Sequence, residues 1–407
     1  MDRKEFLTWL VGFRSPADIV QDNQSSLLVQ ELLFYTLGIL TLIHAIRNGG
    51  RYVWLWITGV FYGIVFETVS YFVPDISNFW HAQSMVMVLG RRMPFYILFV
   101  NEAIFYLSAV AVTRLHLKMW AAAPAVGLGH IILDFPMEVT GVKFLWWTWH
   151  DTDPNIYERF YWEPLSSLYC NAAFNCTMYA VFWGMRKLLC RTKGYEADSC
   201  WRELICSIVA AVSVYPVGAL QFIPIYHLLH DNYKVPTLLC LCLFMSIYGL
   251  LVWTGDRHSS AAARYQKKKV WFDECLIGVI LFFCTYPLLV GITTPENIRS
   301  PGVHEPTGDC SAMTPVYTVS GQVLYRRSFL CPTDYNEGYY DWHCLPGGKP
   351  PKKGLNWYTQ CGTPHENFLE FILLVTGASL FGLYVFVQLL CFSGKQPVVS
   401  AGKEKVN

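Results

Sequence analysis

The sequence predicts an all-α fold: a polytopic transmembrane helix bundle of about nine spans, N-terminus outside and C-terminus cytoplasmic, with a disulfide-containing exterior loop. Three observations predict it. Of the 407 residues, 53% are hydrophobic and only 15% are charged, a balance too apolar for an ordinary soluble domain. Nine apolar runs follow one another at lengths near the roughly 20 residues that a bilayer crossing needs. Lysine and arginine are shared unequally between alternate connections, and that asymmetry sets orientation.

Taken in order, residues 1–25 form an exterior N-terminal segment. Its short apolar core, broken by Arg14 and Pro16, suits an interfacial helix better than a cleaved signal. Spans follow at about 26–46, 52–73, 93–113, 119–135, 165–184, 203–223 and 234–254, giving a seven-span core over 26–255. A basic cytoplasmic linker, 256–270, leads to a two-span hairpin, 271–392. Its spans, 271–293 and 367–392, bracket the exterior loop 295–366, and residues 393–407 are a cytoplasmic tail. Between the fourth and fifth spans an aromatic cap, 136–164, is predicted to begin where Pro136 ends the fourth helix.

With the N-terminus outside, the cytoplasmic segments hold 17 Lys and Arg residues, against 8 exterior ones once the six in the long loop are set aside. That loop contains Cys310, Cys331, Cys344 and Cys361 among Gly, Pro and Tyr. An even number of cysteines in a compact polar loop fits two disulfides in an oxidising compartment, in one of three pairings. Asn23, in the sequon Asn23-Gln24-Ser25, is a candidate glycosylation site in the exterior N-terminal segment.

The net charge of +1 lacks the basic footprint of a nucleic-acid partner. No phosphate-binding, dinucleotide, zinc-protease or serine-hydrolase motif is present, and no cofactor is expected. The expected partners are membrane lipids.

Ionisable groups inside spans cost at least about 2.5 kcal/mol each and usually face a cavity or a partner. Glu67 lies in the second span, Asn101 and Glu102 in the third, and His130 and Asp134 in the fourth. At 1.5 Å per residue, Glu67, Glu102 and His130 lie roughly 8–14 Å from their exterior ends, so one outward-opening pocket can collect them. His130 and Asp134 are i and i+4 and share a helical face, where a carboxylate can orient an imidazole for proton transfer. With Pro136 as the helix end, Asp134 is expected at interfacial water.

The cap then brings Trp146, Trp147, Trp149, His150, Asp151 and Asp153 together. An aromatic belt accounts for some of these residues. His150, Asp151 and Asp153 have metal-ligand chemistry, but no second cluster stands at a fixed spacing and no metal is expected; His227 to Asp231 is the one stretch able to complete such a site.

At these residues the chain resembles the membrane carotenoid hydratases of the bacterioruberin pathway, over roughly residues 60–167 and most closely over 127–167. The family's Leu-Asp-Pro, Gly, Trp-x-Trp and helix-opening Pro correspond to Leu133, Asp134 and Pro136, Gly141, Trp147 and Trp149, and Pro164. Its earlier acidic residue and Gly-and-Pro turn correspond to Glu67, Gly90 and Pro94. Phe135 intervenes before Pro136, and Ser166-Ser167 stands where the family has Asn-Phe. The resemblance implies hydration of a terminal isoprenoid double bond. Asp134 would protonate the alkene, Trp147 and Trp149 would stabilise the tertiary cation, and Glu67 or Glu102 would activate water.

Two function classes follow. One is an enzyme, or enzyme-derived protein, acting on an isoprenoid or other lipid by acid/base chemistry. Its catalytic set is Asp134, Glu67, Glu102 and His130, and its substrate-binding set is Trp146, Trp147, Trp149, Asp151, Asp153 and Asn101. The other is a receptor, transporter or scaffold whose loop 295–366 binds an exterior protein.

Overall fold

The computed structural model describes residues 2–257, 273–318, 321–335 and 337–397. Most of the linker 256–270 and of the tail 393–407 lies outside the described residues. Each of the nine apolar runs is a helix, and seven helices are long and apolar enough to cross a membrane.

In chain order, α1 (Arg3–Leu10), strand β1 (Val11–Phe13) and α2 (Pro16–Gln21) precede α3 (Ser25–Asn48) and α4 (Arg51–Phe72). Strands β2 (Phe79–His81), β3 (Val86–Val88) and β4 (Met93–Pro94) lead to α5 (Ile97–Thr113), a shorter apolar helix, and α6 (Met119–Lys143). Then come β5 (Trp147–Trp149), β6 (Arg159–Phe160), β7 (Glu163–Pro164) and α7 (Leu165–Leu189). Next, α8 (Cys200–Ser213) runs on through two π-helical segments as one apolar rod to Asn232. α9 (Thr237–Arg257) and α10 (Glu274–Ile292) follow, and α11 (Phe368–Val387) closes the bundle.

Large apolar side chains are exposed along the outer helix faces, among them Ile39, Ile43, Leu239, Leu250, Leu373 and Leu380. A water-soluble protein hides such side chains, so an apolar girdle over buried polar residues is the pattern of a protein whose solvent is lipid. α6 is the central helix, packed against α5, α7, α9, α10 and α11. Close approaches rest on small residues: a Cβ at Gly59 would lie 2.8 Å from the Glu102 backbone, and one at Gly127 2.6 Å from the Ala172 carbonyl.

Three expectations change. Pro136 does not end the fourth helix, because α6 carries both Pro124 and Pro136 internally and runs on to Lys143. Helices packed around it keep it continuous, as neighbours commonly do for prolines in packed membrane helices. The cap therefore starts at Phe144, and Asp134 sits mid-helix instead of at interfacial water. Second, the N-terminal segment is not a lone interfacial helix: β1 pairs with β3, which pairs with β4, making a three-stranded sheet. Third, the last two helices pack on each other and also join the core, α10 on α3 and α11 on α6.

The segment 295–366 is a small β domain pinned by disulfides Cys310–Cys331 and Cys344–Cys361. Strands β8 (Arg299–Val303), β11 (Tyr340–Asp341) and β12 (Trp357–Gly362) form one sheet, in the order β11-β12-β8. Strands β9 (Met313–Tyr317) and β10 (Val323–Arg327) form a hairpin. This domain docks on the aromatic segment through Arg326 to Asp153 at 2.7 Å, Arg159 to Glu337 at 2.5 Å, and the Trp149 amide to the Tyr339 hydroxyl at 3.0 Å. The two together roof one end of the bundle.

Candidate functional site

Directly under that roof lies a cavity of about 80 Å³. It is lined by Glu67 from α4, His81 from β2, Asn101 from α5, His130, Asp134 and Glu138 from α6, Trp147 and Trp149 from β5, and Asn171 from α7. Strand pairing explains how the cap delivers its share. β2 and β5 run antiparallel with His81 opposite Trp147 and Phe79 opposite Trp149, so alternate side chains point down into the bundle. Gly141 lets the tryptophan in, because a Cβ there would meet the Trp147 ring at 2.1 Å.

His130, Asp134 and Glu138 recur every four residues and form one stripe along α6. His130 Nε2 lies 3.7 Å from Asp134 Oδ2. Asn171 donates to Asp134 at 2.5 Å and to Glu138 at 3.4 Å. Glu138 also interacts electrostatically with Glu163, which lies in β7 just before α7. Glu163 additionally accepts from the Trp149 indole at 3.1 Å. Burial pushes the Glu163 carboxyl up to about 8, so it holds a proton at neutral pH. Across the cavity, Glu67 Oε2 and His81 Nε2 are 3.2 Å apart. No lysine or arginine lines the cavity.

A second, largely apolar chamber of about 290 Å³ adjoins the first and shares Phe66, Phe79, Trp149, Ser167 and Asn171 with it. Its remaining wall includes Phe174, Tyr215, Phe222 and Tyr226, rings from α7 and the π-helical rod.

Of the residues singled out by sequence, Glu67, Asn101, His130, Asp134, Trp147 and Trp149 meet in the cavity. Others do not. Glu102 faces away toward α3 and α4, accepting from Thr41 at 3.1 Å; neighbours in a helix point about 100° apart, so Asn101 and Glu102 cannot serve one pocket. Trp146 is fully buried and donates to Ser26 at 3.2 Å. Asp151 and Asp153 sit in the roof, Asp153 paired with Arg326 at 2.7 Å. Asn23 is exposed, with its amide donating to the Asn297 carbonyl at 3.0 Å.

Sequence reasoning missed His81, Glu138, Glu163 and Asn171. The four-residue stripe offered a signal for Glu138, hidden by reading Pro136 as a helix end. His81 depends on strand register, which no spacing reveals.

The roof holds a further buried group. His150 Nε2 is 3.1 Å from Glu305 Oε1, and His150 Nδ1 is 3.5 Å from Asp151 Oδ1. Burial pushes His150 down to about 3, Asp151 up to about 6, and Glu305 well above the usual carboxylate range. The stretch His227 to Asp231 does not reach it: those residues hydrogen-bond one another, His227 and His230 both meeting Asp231.

Fold and site together define a helical protein, with seven helices long and apolar enough to cross a membrane, whose acid-lined cavity lies under a disulfide-pinned β roof. The chain belongs to the family described as a domain of unknown function (DUF7802), whose model matches residues 3–391. Neither a curated protein nor a solved structure matches it significantly.

Proposed function

We propose that this protein is a membrane-embedded enzyme acting by acid/base chemistry on an isoprenoid or similar apolar lipid. The observation that carries the reading is the pairing of two chambers: an aromatic one sized for a hydrocarbon chain shares a wall with a small one lined by carboxyls, imidazoles and two tryptophans. In the hydration this arrangement supports, Asp134 gives its proton to one alkene carbon and the other becomes a tertiary cation against Trp147 and Trp149. Water adds to that cation, and Glu67, paired with His81, takes the water's proton. The result is a tertiary alcohol, with no redox change. Asn171 positions Asp134, and Glu138 and Glu163 return its proton. Nine spans, an exterior roof and a cytoplasmic C-terminus complete the proposal.

The test is mass spectrometry of molecules that co-purify with the wild type and with Asp134→Asn. The expected result is an apolar lipid that changes chemical form or accumulates unreacted in the variant. Unchanged lipid profiles for Asp134→Asn, Glu138→Gln and Glu67→Gln would sink the enzyme reading.

One observation favours the second class, a binding protein. Strands β9 and β10 expose Met313, Tyr317, Val323 and Tyr325, an apolar hairpin that a partner protein would cover. Shortening the hairpin while the lipid profile stays intact separates the two roles.

A further inference from the structure

We propose that His150, Asp151 and Glu305 form a divalent metal site of the zinc class in the roof, with one nitrogen and two carboxylate oxygens as protein ligands. One atom from each residue lies within 4.8 Å of the others, close enough to contract around an ion whose bonds are about 2.0–2.2 Å. All three side chains are nine-tenths buried or more, at 4%, 6% and 4% exposure.

Three of their carboxylate oxygens are otherwise unspent, while Glu305 Oε2 accepts the Asp151 amide at 3.4 Å. Both Asp151 carboxylate oxygens and Glu305 Oε1 lack any hydrogen-bond partner. Oε1 is unsatisfied although His150 Nε2 is only 3.1 Å away, so the two atoms are close without being aligned as donor and acceptor. Buried carboxylate oxygens rarely stay unpaired, and an ion between them satisfies both.

Charge counting leads to the same place. Asp153 has Arg326 and Glu337 has Arg159. Arg327 is held by Asp334 and comes no closer to Asp151 than 3.8 Å. Asp151 and Glu305 are left with two negative charges and no dedicated cation, which one divalent ion neutralises. His150 Nδ1 meets the Thr152 amide at 3.2 Å; with Nε2 on the ion the ring proton sits on Nδ1, and the ring gives up that contact.

Three protein ligands leave coordination positions open. Cavities of about 500 Å³ and 430 Å³ flank the group, the first reaching Asp151 and the second His150 and Glu305, so solvent and ion have entry on either side. The ion would tie the aromatic cap to the β domain across 154 positions of sequence. Nothing in this inference depends on the lipid reading of the membrane cavity.

The test uses the full chain in detergent, stripped with a chelator, dialysed, and titrated with Zn²⁺ by calorimetry and with Co²⁺ by visible absorption. The expected result is one equivalent bound, a higher Tm with metal, and a nitrogen/oxygen-ligated Co²⁺ spectrum lacking thiolate bands. Asp151→Asn and Glu305→Gln should weaken binding at least tenfold, while His230→Ala, in the other imidazole–carboxylate group, should leave that equivalent in place. Should the variants misfold, the Co²⁺ spectrum of the wild type decides alone. Stripped wild type that takes up neither Zn²⁺ nor Co²⁺, or takes up no more than Glu305→Gln, overturns the proposal and leaves the carboxyls neutralised by protons.

Discussion

The bundle has two buried polar clusters, one at each end, and they are built on opposite rules. At the end away from the roof, buried charges among the described residues are paired with one another. Arg114 donates to Asp273 at 2.5 Å, to Gln396 at 3.0 Å and to the Leu390 carbonyl, and Asp273 in turn lies 3.6 Å from His44. Nearby, Arg51 donates to Glu203 at 3.0 Å and to Thr192 at 2.8 Å. Under the roof, Glu67, Asp134 and Glu138 line one cavity with no basic side chain but histidine. A buried cluster that balances its charges is a fastening. One that lines empty space with carboxyls has room for a ligand, so its cost to folding needs a use.

The contrast breaks most visibly at Arg114. Arg114→Met strands Asp273 in the interior and should cost about 3–5 kcal/mol, the usual effect of removing one partner of a buried ion pair. Glu138→Gln strands no cation and should cost under about 1 kcal/mol. Thermal unfolding in detergent measures both. Equal losses would make the roofed cluster another fastening.

Next in size is Gly141→Ala. The added methyl overlaps the Trp147 ring, and overpacking of this kind costs about 1–3 kcal/mol. Because Trp147 walls the cavity, the variant should also lose co-purifying lipid. A lower Tm with full lipid retention would mean that Trp147 is packing alone.

A smaller effect separates the neighbouring tryptophans. Trp146→Phe removes the bond to Ser26 and should cost about 1 kcal/mol without altering what co-purifies, since Trp146 lies outside the cavity. An altered lipid profile would reopen the cavity's boundary.

How much of this was legible follows from the kind of contact involved. All nine helices show in hydropathy, because lipid-facing surface must be apolar whatever the tertiary detail. The i, i+4 pair His130–Asp134 shows because both residues sit on one helix. What pairs across elements does not show. Glu305 reaches His150 through a β domain, His81 reaches Glu67 through strand register, and Asn171 meets Asp134 only because α7 packs on α6. Pro136 misled because its local preference to end a helix is real and was overridden by the helices packed around it. Adjacent polar residues misled in the same way: Asn101 and Glu102 read as one site but face different neighbours.

The finest test of the contrast is the titration of Glu163. Its unfolded value is near 4.5, and in the folded protein burial raises it to about 8. The fold therefore favours the protonated form. Its contribution to stability is fully present below about pH 4.5, is lost progressively as pH rises, and levels off above about pH 8. Asp151 and Glu337, held up at about 6 and about 7 by burial, titrate across the same window, so the wild-type curve alone assigns nothing. Glu163→Gln removes one titration and nearly preserves shape. At pH 5 the variant and wild type should melt within a degree or two of each other. The gap should then widen steadily in the variant's favour toward pH 8. A gap that stays constant with pH would mean that Glu163 is ionised in the folded protein, and the roofed cluster would then need a cation, as the one at the opposite end has.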